Sequence, residues 1–167
     1  MQFELCEWRE SLADSLAESA NDARIGRYMR NGFPYPYTPA DARAFIAAAR
    51  ACGEDHKNRA IVADGRAVGG IGLTRLGDVY CKSAEIGYWL TPACWGKGIM
   101  TEAVGQMCAM GFADMDIVRI FAEVFAPNLA SQRVLEKCGF ALEGRKRKSV
   151  YKGGAFCDSV VYALVKD

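Results

Sequence analysis

Two short stretches of this chain carry residue types that chemistry needs. The first is Glu85-Ile86-Gly87-Tyr88-Trp89-Leu90-Thr91-Pro92-Ala93-Cys94-Trp95-Gly96-Lys97-Gly98-Ile99-Met100-Thr101-Glu102-Ala103. It reads as a strand, a tight glycine loop and the start of a helix. Gly96 and Gly98 lack a Cβ, so ligand atoms can approach the backbone closely. The loop ends where the helix begins. The free N–H groups and positive dipole end of that helix favour an anionic phosphate. Lys97 adds charge, and the Thr101 hydroxyl lies in the first turn. The pattern is not the nucleotide loop GxxxxGK followed by Ser or Thr, because Lys97 precedes Gly98. Nor is it GxGxxG, because Thr101 holds the third glycine position. Taken alone, the two glycines would serve only a tight turn.

The second stretch runs from Val124 to Phe140: a strand end, a helix started by Asn128, and a Gly139-Phe140 stop. Asn128 suits an N-cap, and Ser131 falls on the first turn. Other residues carry less. His56, the only histidine, lies in a polar stretch that reads as an exposed loop. The run Arg145-Lys146-Arg147-Lys148 reads as the charged face of a strand, with an acidic acceptor or a ligand phosphate as the functional alternative. Phe33, Tyr35, Tyr37 and Tyr151 are candidates to wall a site, or packing residues.

The elements that must position these groups follow from periodicity and turn chemistry. Phe3 to Trp8 suggests a first strand, and Ser11 to Arg30 one or two short helices. Pro34, Pro36 and Pro39 keep the next segment extended. Thr38 and Pro39 then start a helix with Ala42, Phe45, Ile46 and Ala49 as its apolar stripe. Arg59–Ala63 and Ala67–Leu73 flank a hairpin signal at Asp64-Gly65-Arg66. Tyr80–Thr91 and Ile117–Phe125 read as strands, Gly98–Phe112 and Asn128–Cys138 as helices. Phe140 onward and Phe156–Val165 form a closing strand pair. The order predicts an α+β fold: one mixed sheet with helices on both faces, in one domain over residues 1–167.

The 167-residue chain is 51% hydrophobic with net charge +1, which argues against a broad field for nucleic acid or membrane. No apolar run reaches membrane-spanning length, and the N-terminal residues do not read as a secretory signal. Its cysteines are scattered without a CxxC pair, so no metal site is expected and a cytoplasmic setting fits. The apolar closing strand Val160–Val165 hints at edge pairing and hence a homodimer.

Together the two stretches resemble the GNAT superfamily of N-acetyltransferases. The Rim-type branch, which includes ribosomal-protein N-terminal acetyltransferases, is the nearer likeness. Its patterns E-I-G-Y-W-L, W-G-K-G-x-x-T-E-A and N-x-x-S-x-x-x-x-x-x-G-F all occur here, in order. The likeness extends to Phe33–Thr38 and to Phe156-Cys157-Asp158. It implies a mostly antiparallel GNAT-like sheet with one splayed parallel strand pair, Ile86–Thr91 and Ile117–Phe125. It implies acetyl-CoA as co-substrate and a protein N-terminus or small-molecule amine as acceptor. The pantetheine arm would lie in the splay, near the backbone of Tyr88, Trp89 and Leu90. The pyrophosphate would meet Trp95, Gly96, Lys97, Gly98, Ile99, Met100 and Thr101. Asn128 would hold the pantetheine and Ser131 would hydrogen-bond the departing thiolate. Glu85 is the candidate base, with a water relay, or a merely ion-paired Glu85, as alternatives. Two departures stand out: Ala93 replaces a Gln or Arg of the loop, and Leu135 replaces a tyrosine that serves many relatives as general acid. The latter leaves a non-catalytic acyl-CoA sensor as the competing reading.

Overall fold

The computed structural model describes residues 1–167. Its chain order is β1 (Glu4–Cys6), α1 (Ala13–Ala20), α2 (Ala23–Gly26), α3 (Pro39–Ala51), β2 (His56–Ala63), β3 (Arg66–Arg75), β4 (Ser83–Leu90), α4 (Ile99–Asp114), β5 (Arg119–Phe125), α5 (Leu129–Lys137), β6 (Ala141–Lys152) and β7 (Ala155–Val165). The strands form a seven-stranded sheet in the order β1-β2-β3-β4-β5-β7-β6. Every pairing is antiparallel except β4 with β5. The mixed α+β sheet expected from the sequence is therefore present.

Local chemistry explains the boundaries. Asp22 caps α2 by accepting the Arg24 N–H at 2.9 Å, which splits the helical stretch after Ser11 into two. Thr38 Oγ1 accepts from the Asp41 N–H, and the Asp41 carboxylate accepts the Thr38 N–H. That reciprocal cap fixes the start of α3 behind Pro39 and is worth about 1 kcal/mol. β4 begins at Ser83, not Tyr80, because Asp78–Tyr80 closes a 3₁₀ turn with Asp78 at positive φ.

The sheet separates two cores. Side chains on a strand alternate between faces. Ala84, Ile86 and Leu90 of β4 and Ile120, Ala122 and Val124 of β5 pack with α4 and with Leu135 of α5. Trp89 packs on the opposite face with α1 and α3, through Leu16, Ala42 and Ile46. Gly70 makes room for it: a Cβ there would lie 2.8 Å from Trp89 Nε1.

The closing strand corrects the edge-pairing expectation. β7 lies inside the sheet, bonded to β5 on one side and β6 on the other. Val160, Tyr162 and Ala163 are apolar because they are buried. The edge is β6, whose mostly exposed, charged residues discourage strand addition. No helix is long and apolar enough to cross a membrane.

Candidate active site

The parallel pair defines the site. β4 and β5 are in register only at Ser83–Arg119, Ala84–Ile120 and Glu85–Phe121. Beyond Glu85 the two strands part. β4 stays paired with β3 through Leu90, and β5 with β7 through Phe125. The edges that face each other across the gap, residues 86–90 and 122–125, have no strand between them. Backbone groups left so require another partner.

At the far end of β4 the chain turns through Pro92–Cys94 into α4. The Trp95 indole donates to the Leu90 carbonyl at 2.7 Å and pins the turn. Gly96 (φ 72°) and Gly98 (φ 78°) adopt the left-handed conformation that favours glycine. Gly98 is the N-cap of α4 and has no side chain to cap with. The first helical bond runs from the Glu102 N–H to the Gly98 carbonyl. The N–H groups of Gly96, Lys97, Gly98, Ile99, Met100 and Thr101 donate to no protein acceptor. This array at a 16-residue helix start suits an anion. The Lys97 ammonium donates to the Ala93 carbonyl at 2.8 Å. Ile99 and Met100 are buried in the core, so only their backbone can face a ligand. The same holds for Trp89 and Leu90.

On the α4/α5 face, Tyr88 projects from the unpaired part of β4 to Ser131, with hydroxyl to Ser131 Oγ at 2.8 Å. Asn128 caps α5 by accepting the Ser131 N–H at 3.3 Å. Burial pushes the Tyr88 phenol well above its ordinary range. Leu135 is fully buried.

On the other face lie groups of opposite charge. Glu85 is ion-paired with Arg30 at 2.6 Å, so the paired arrangement considered for it is present. Two positions beyond Phe121, on the face shared with Glu85, stands Glu123. Its carboxylate accepts from Lys146 at 2.9 Å and from Ser159 Oγ at 2.7 Å. Burial pushes Glu123 up, but the Lys146 and Ser159 hydrogen bonds and the charges of Lys146 and Arg30 outweigh it and hold the carboxyl below its ordinary value. Glu123 and Arg30 border a cavity of about 320 Å³ walled by Met29, Phe125, Tyr151 and Lys152. The Lys152 ammonium closes one wall by donating to the Gly26 and Met29 carbonyls.

The structure thus places Glu85 on one side of the gap and Tyr88, Asn128 and Ser131 on the other, with residues 95–101 at its end. Of the aromatic candidates, only Tyr151 lines the cavity. Phe33 packs on Tyr37 and Trp89, and Tyr35 is exposed. His56 opens β2, exposed, beside Thr74. Of the basic run, Lys146 reaches Glu123 while Arg145 is bound to Asp158. Arg30, Glu123 and Ser159 escaped the sequence reading. The parity of Glu123 with Phe121 and Phe125 was the available signal; nothing local marked Arg30.

A family model described as "Acetyltransferase (GNAT) domain" matches residues 2–141. The chain belongs to the GNAT acetyltransferase family. This GNAT chain is 42% identical over 102 residues to a protein named "Probable N-acetyltransferase YjcK" from Bacillus subtilis, covering 61% of this chain and 56% of that one. It is 30% identical over 86 residues to the ribosomal-protein-serine acetyltransferase of Escherichia coli, covering 52% and 48%. The matched region thus spans about half the length of these curated relatives. Among solved structures, RimL, a ribosomal-protein alpha-N-acetyltransferase in complex with coenzyme A, superposes with a TM-score of 0.87 at 24% identity, covering 100% of this chain and 96% of that one. That likeness is one of fold.

Proposed function

We propose that this GNAT chain transfers the acetyl group of acetyl-CoA to the terminal amine of a polypeptide. One observation carries the reading: the gap between β4 and β5 has a helix start with unpaired amides at its end, hydroxyl groups on one face and carboxylates on the other. An extended amide-bearing arm fits the unpaired strand edges, and a Cβ built at Gly96 or Gly98 meets only open space, as a backbone cradle for a phosphate requires. Acetyl-CoA, when bound, supplies an activated acyl group on a good leaving thiol.

The residues then divide the work. The amides of residues 96–101 hold the pyrophosphate, with Lys97 beside them, and Asn128 holds the pantetheine end. Backbone N–H groups of Tyr88 and Leu90, on the edge of β4 that faces the gap, polarise the acyl carbonyl. The acceptor enters from the cavity beside Arg30 and Glu123. There Glu85, once Arg30 swings away or through a water, takes the ammonium proton. The sulfur leaves toward α5, where Ser131 donates a hydrogen bond to it.

Two features favour a chain terminus over a small free amine. The cavity is open to solvent and lined by Tyr151, whose exposed ring lies tilted against exposed Phe156, centroids 4.8 Å apart. Glu123, the carboxylate that lines the cavity, is paired with Lys146, and nearby Glu85 is paired with Arg30, so neither is free to anchor a second cationic group on a small amine. The free cysteines suit a reducing cytoplasm.

The test is calorimetry with CoA, then thiol release from acetyl-CoA against peptides and small amines in one assay, with mass spectrometry of products. Acetylated peptide N-termini are expected. Binding without turnover on any acceptor would move the assignment to an acyl-CoA sensor; acetylation of small amines alone would remove the polypeptide acceptor.

A further inference from the structure

The position where many GNAT relatives carry a tyrosine is Leu135, buried in the core and unable to donate a proton. The structure brings a different tyrosine to the same helix. Tyr88 reaches from the unpaired stretch of β4, and its hydroxyl lies 2.8 Å from Ser131 Oγ and 3.4 Å from the Ser131 carbonyl oxygen. A carbonyl can only accept. The carbonyl at 3.4 Å is the weaker acceptor; on the short 2.8 Å contact the phenol, a stronger acid than an aliphatic hydroxyl, is the better donor and Ser131 Oγ the acceptor. Ser131 Oγ has no other protein partner. Its own proton is left free to point into the gap.

We propose that Tyr88 is a positioning residue that fixes Ser131 as hydrogen-bond donor to the departing thiolate, a two-hydroxyl pair drawn from β4 and α5. The inference rests on the acetyltransferase reading above. In the step it serves, the amine nitrogen bonds to the acyl carbon and the carbon–sulfur bond breaks. The bonding pair goes to sulfur. The amine proton leaves on the Glu85 face. Ser131 donates a hydrogen bond to the sulfur anion, and Tyr88 keeps its proton throughout. Donation from Tyr88 polarises the serine hydroxyl and makes it the stronger donor. Burial, which raises the phenol pKa, keeps Tyr88 protonated over the working pH range. An intrahelical bond to a carbonyl one turn back is the usual competitor for a helical serine proton; holding Oγ as an acceptor of Tyr88 orients the side chain toward the gap instead.

The test is a cycle of Tyr88→Phe, Ser131→Ala and the double variant. Turnover is read with saturating acetyl-CoA and the peptide acceptor, and CoA affinity is read separately by calorimetry. Ser131→Ala should lower kcat about 10- to 100-fold, the size of one hydrogen bond to a charged atom. Tyr88→Phe should lower it about 3- to 10-fold, with CoA affinity within about twofold of wild type. The double variant should match Ser131→Ala, because Tyr88 acts only through the serine. If the two losses multiply, or if Tyr88→Phe weakens CoA binding with kcat intact, the pair is structural and the proposal is overturned. A second variant keeps the hydroxyl: difluorotyrosine at position 88 lowers the phenol pKa and should bring the alkaline fall of kcat to lower pH. An unmoved profile overturns the proposal even if Tyr88→Phe fails to fold. Wild-type protein that binds CoA but turns over no acceptor would retire the transferase reading and this inference together. Multiplying losses in an active enzyme retire only the inference.

Discussion

Replacing Gly98 by alanine separates the two demands that the α4 start places on one residue. Gly98 sits at φ 78° and ψ −5° as the N-cap. An L side chain there costs about 1 kcal/mol in backbone strain. The cost stops at that figure, because a Cβ built on Gly98 meets no atom within 4 Å. For a chain of 167 residues, 1 kcal/mol corresponds to a Tm lowered by about 2–4 °C. The effect on CoA should be larger. The open space above Gly98 is the approach to the unpaired amides of Ile99 and Met100, and a methyl group there pushes an anion outward. Each N–H bond to a charged oxygen is worth about 1.5–3 kcal/mol. Losing one or two weakens CoA binding at least tenfold. Thermal unfolding gives the first quantity and calorimetry with CoA gives the second. Dephosphorylated pantetheine should bind wild type and variant alike. A variant that loses its few degrees of Tm yet binds CoA as wild type does would show that no phosphate approaches this helix start, and the reasoning from unpaired amides would fail.

Other variants probe the two faces of the gap. Asn128→Ala removes the α5 cap and should cost about 1 kcal/mol of stability, with CoA affinity reduced, read by unfolding and calorimetry. Glu85→Gln should lower kcat about 10²-fold or more with the acid limb of its pH profile flattened; an unchanged profile assigns proton removal to water. Glu123 supplies a stability signature. Its folded pKa lies below its unfolded one, so its contribution is present above the ordinary glutamate value and fades as pH falls through the depressed one. Urea unfolding of Glu123→Gln should accordingly show less loss of stability on acidification than wild type, and parallel curves would refute the pairing with Lys146 and Ser159.

The sequence made the fold and half of the site legible, for a physical reason. Turn chemistry and caps are local: Thr38-Pro39-Ala40-Asp41, Asp64-Gly65 and Gly139 each announce a boundary that the structure places within a residue or two. The glycine loop is equally local, since its conformation and its unpaired amides come from adjacent residues. The acceptor side is not local. Arg30 meets Glu85 across 55 positions, and Lys146 meets Glu123 across 23. No spacing rule reports such pairs. The misplacement of β7 at an edge has the same origin. An alternating apolar strand reads alike whether its neighbours are other strands or solvent, and only the pairing of β6 outside it decides the matter.

The splay itself turns on a competition that no single residue wins. A parallel pair continued past Glu85 would bond residues 86–90 to 122–125 and close the gap. Two features hold it open. β3 and β7 each keep full register with one of the two strands, so neither β4 nor β5 needs the other for its outward backbone groups. On the helix face, Tyr88 is drawn toward α5 by Ser131. On the opposite face, Arg30 bridges to Glu85 where pairing stops. The hydrogen bonds that a closed sheet would have made are left to a ligand, and the alternation of side chains assigns opposite chemistry to its two sides. Tyr88→Phe with Arg30→Ala, if the strands are held apart by these contacts, should raise amide-exchange protection at Ile86, Tyr88 and Leu90 in the free protein. Protection unchanged from wild type would place the cause of the opening in β3 and β7 alone.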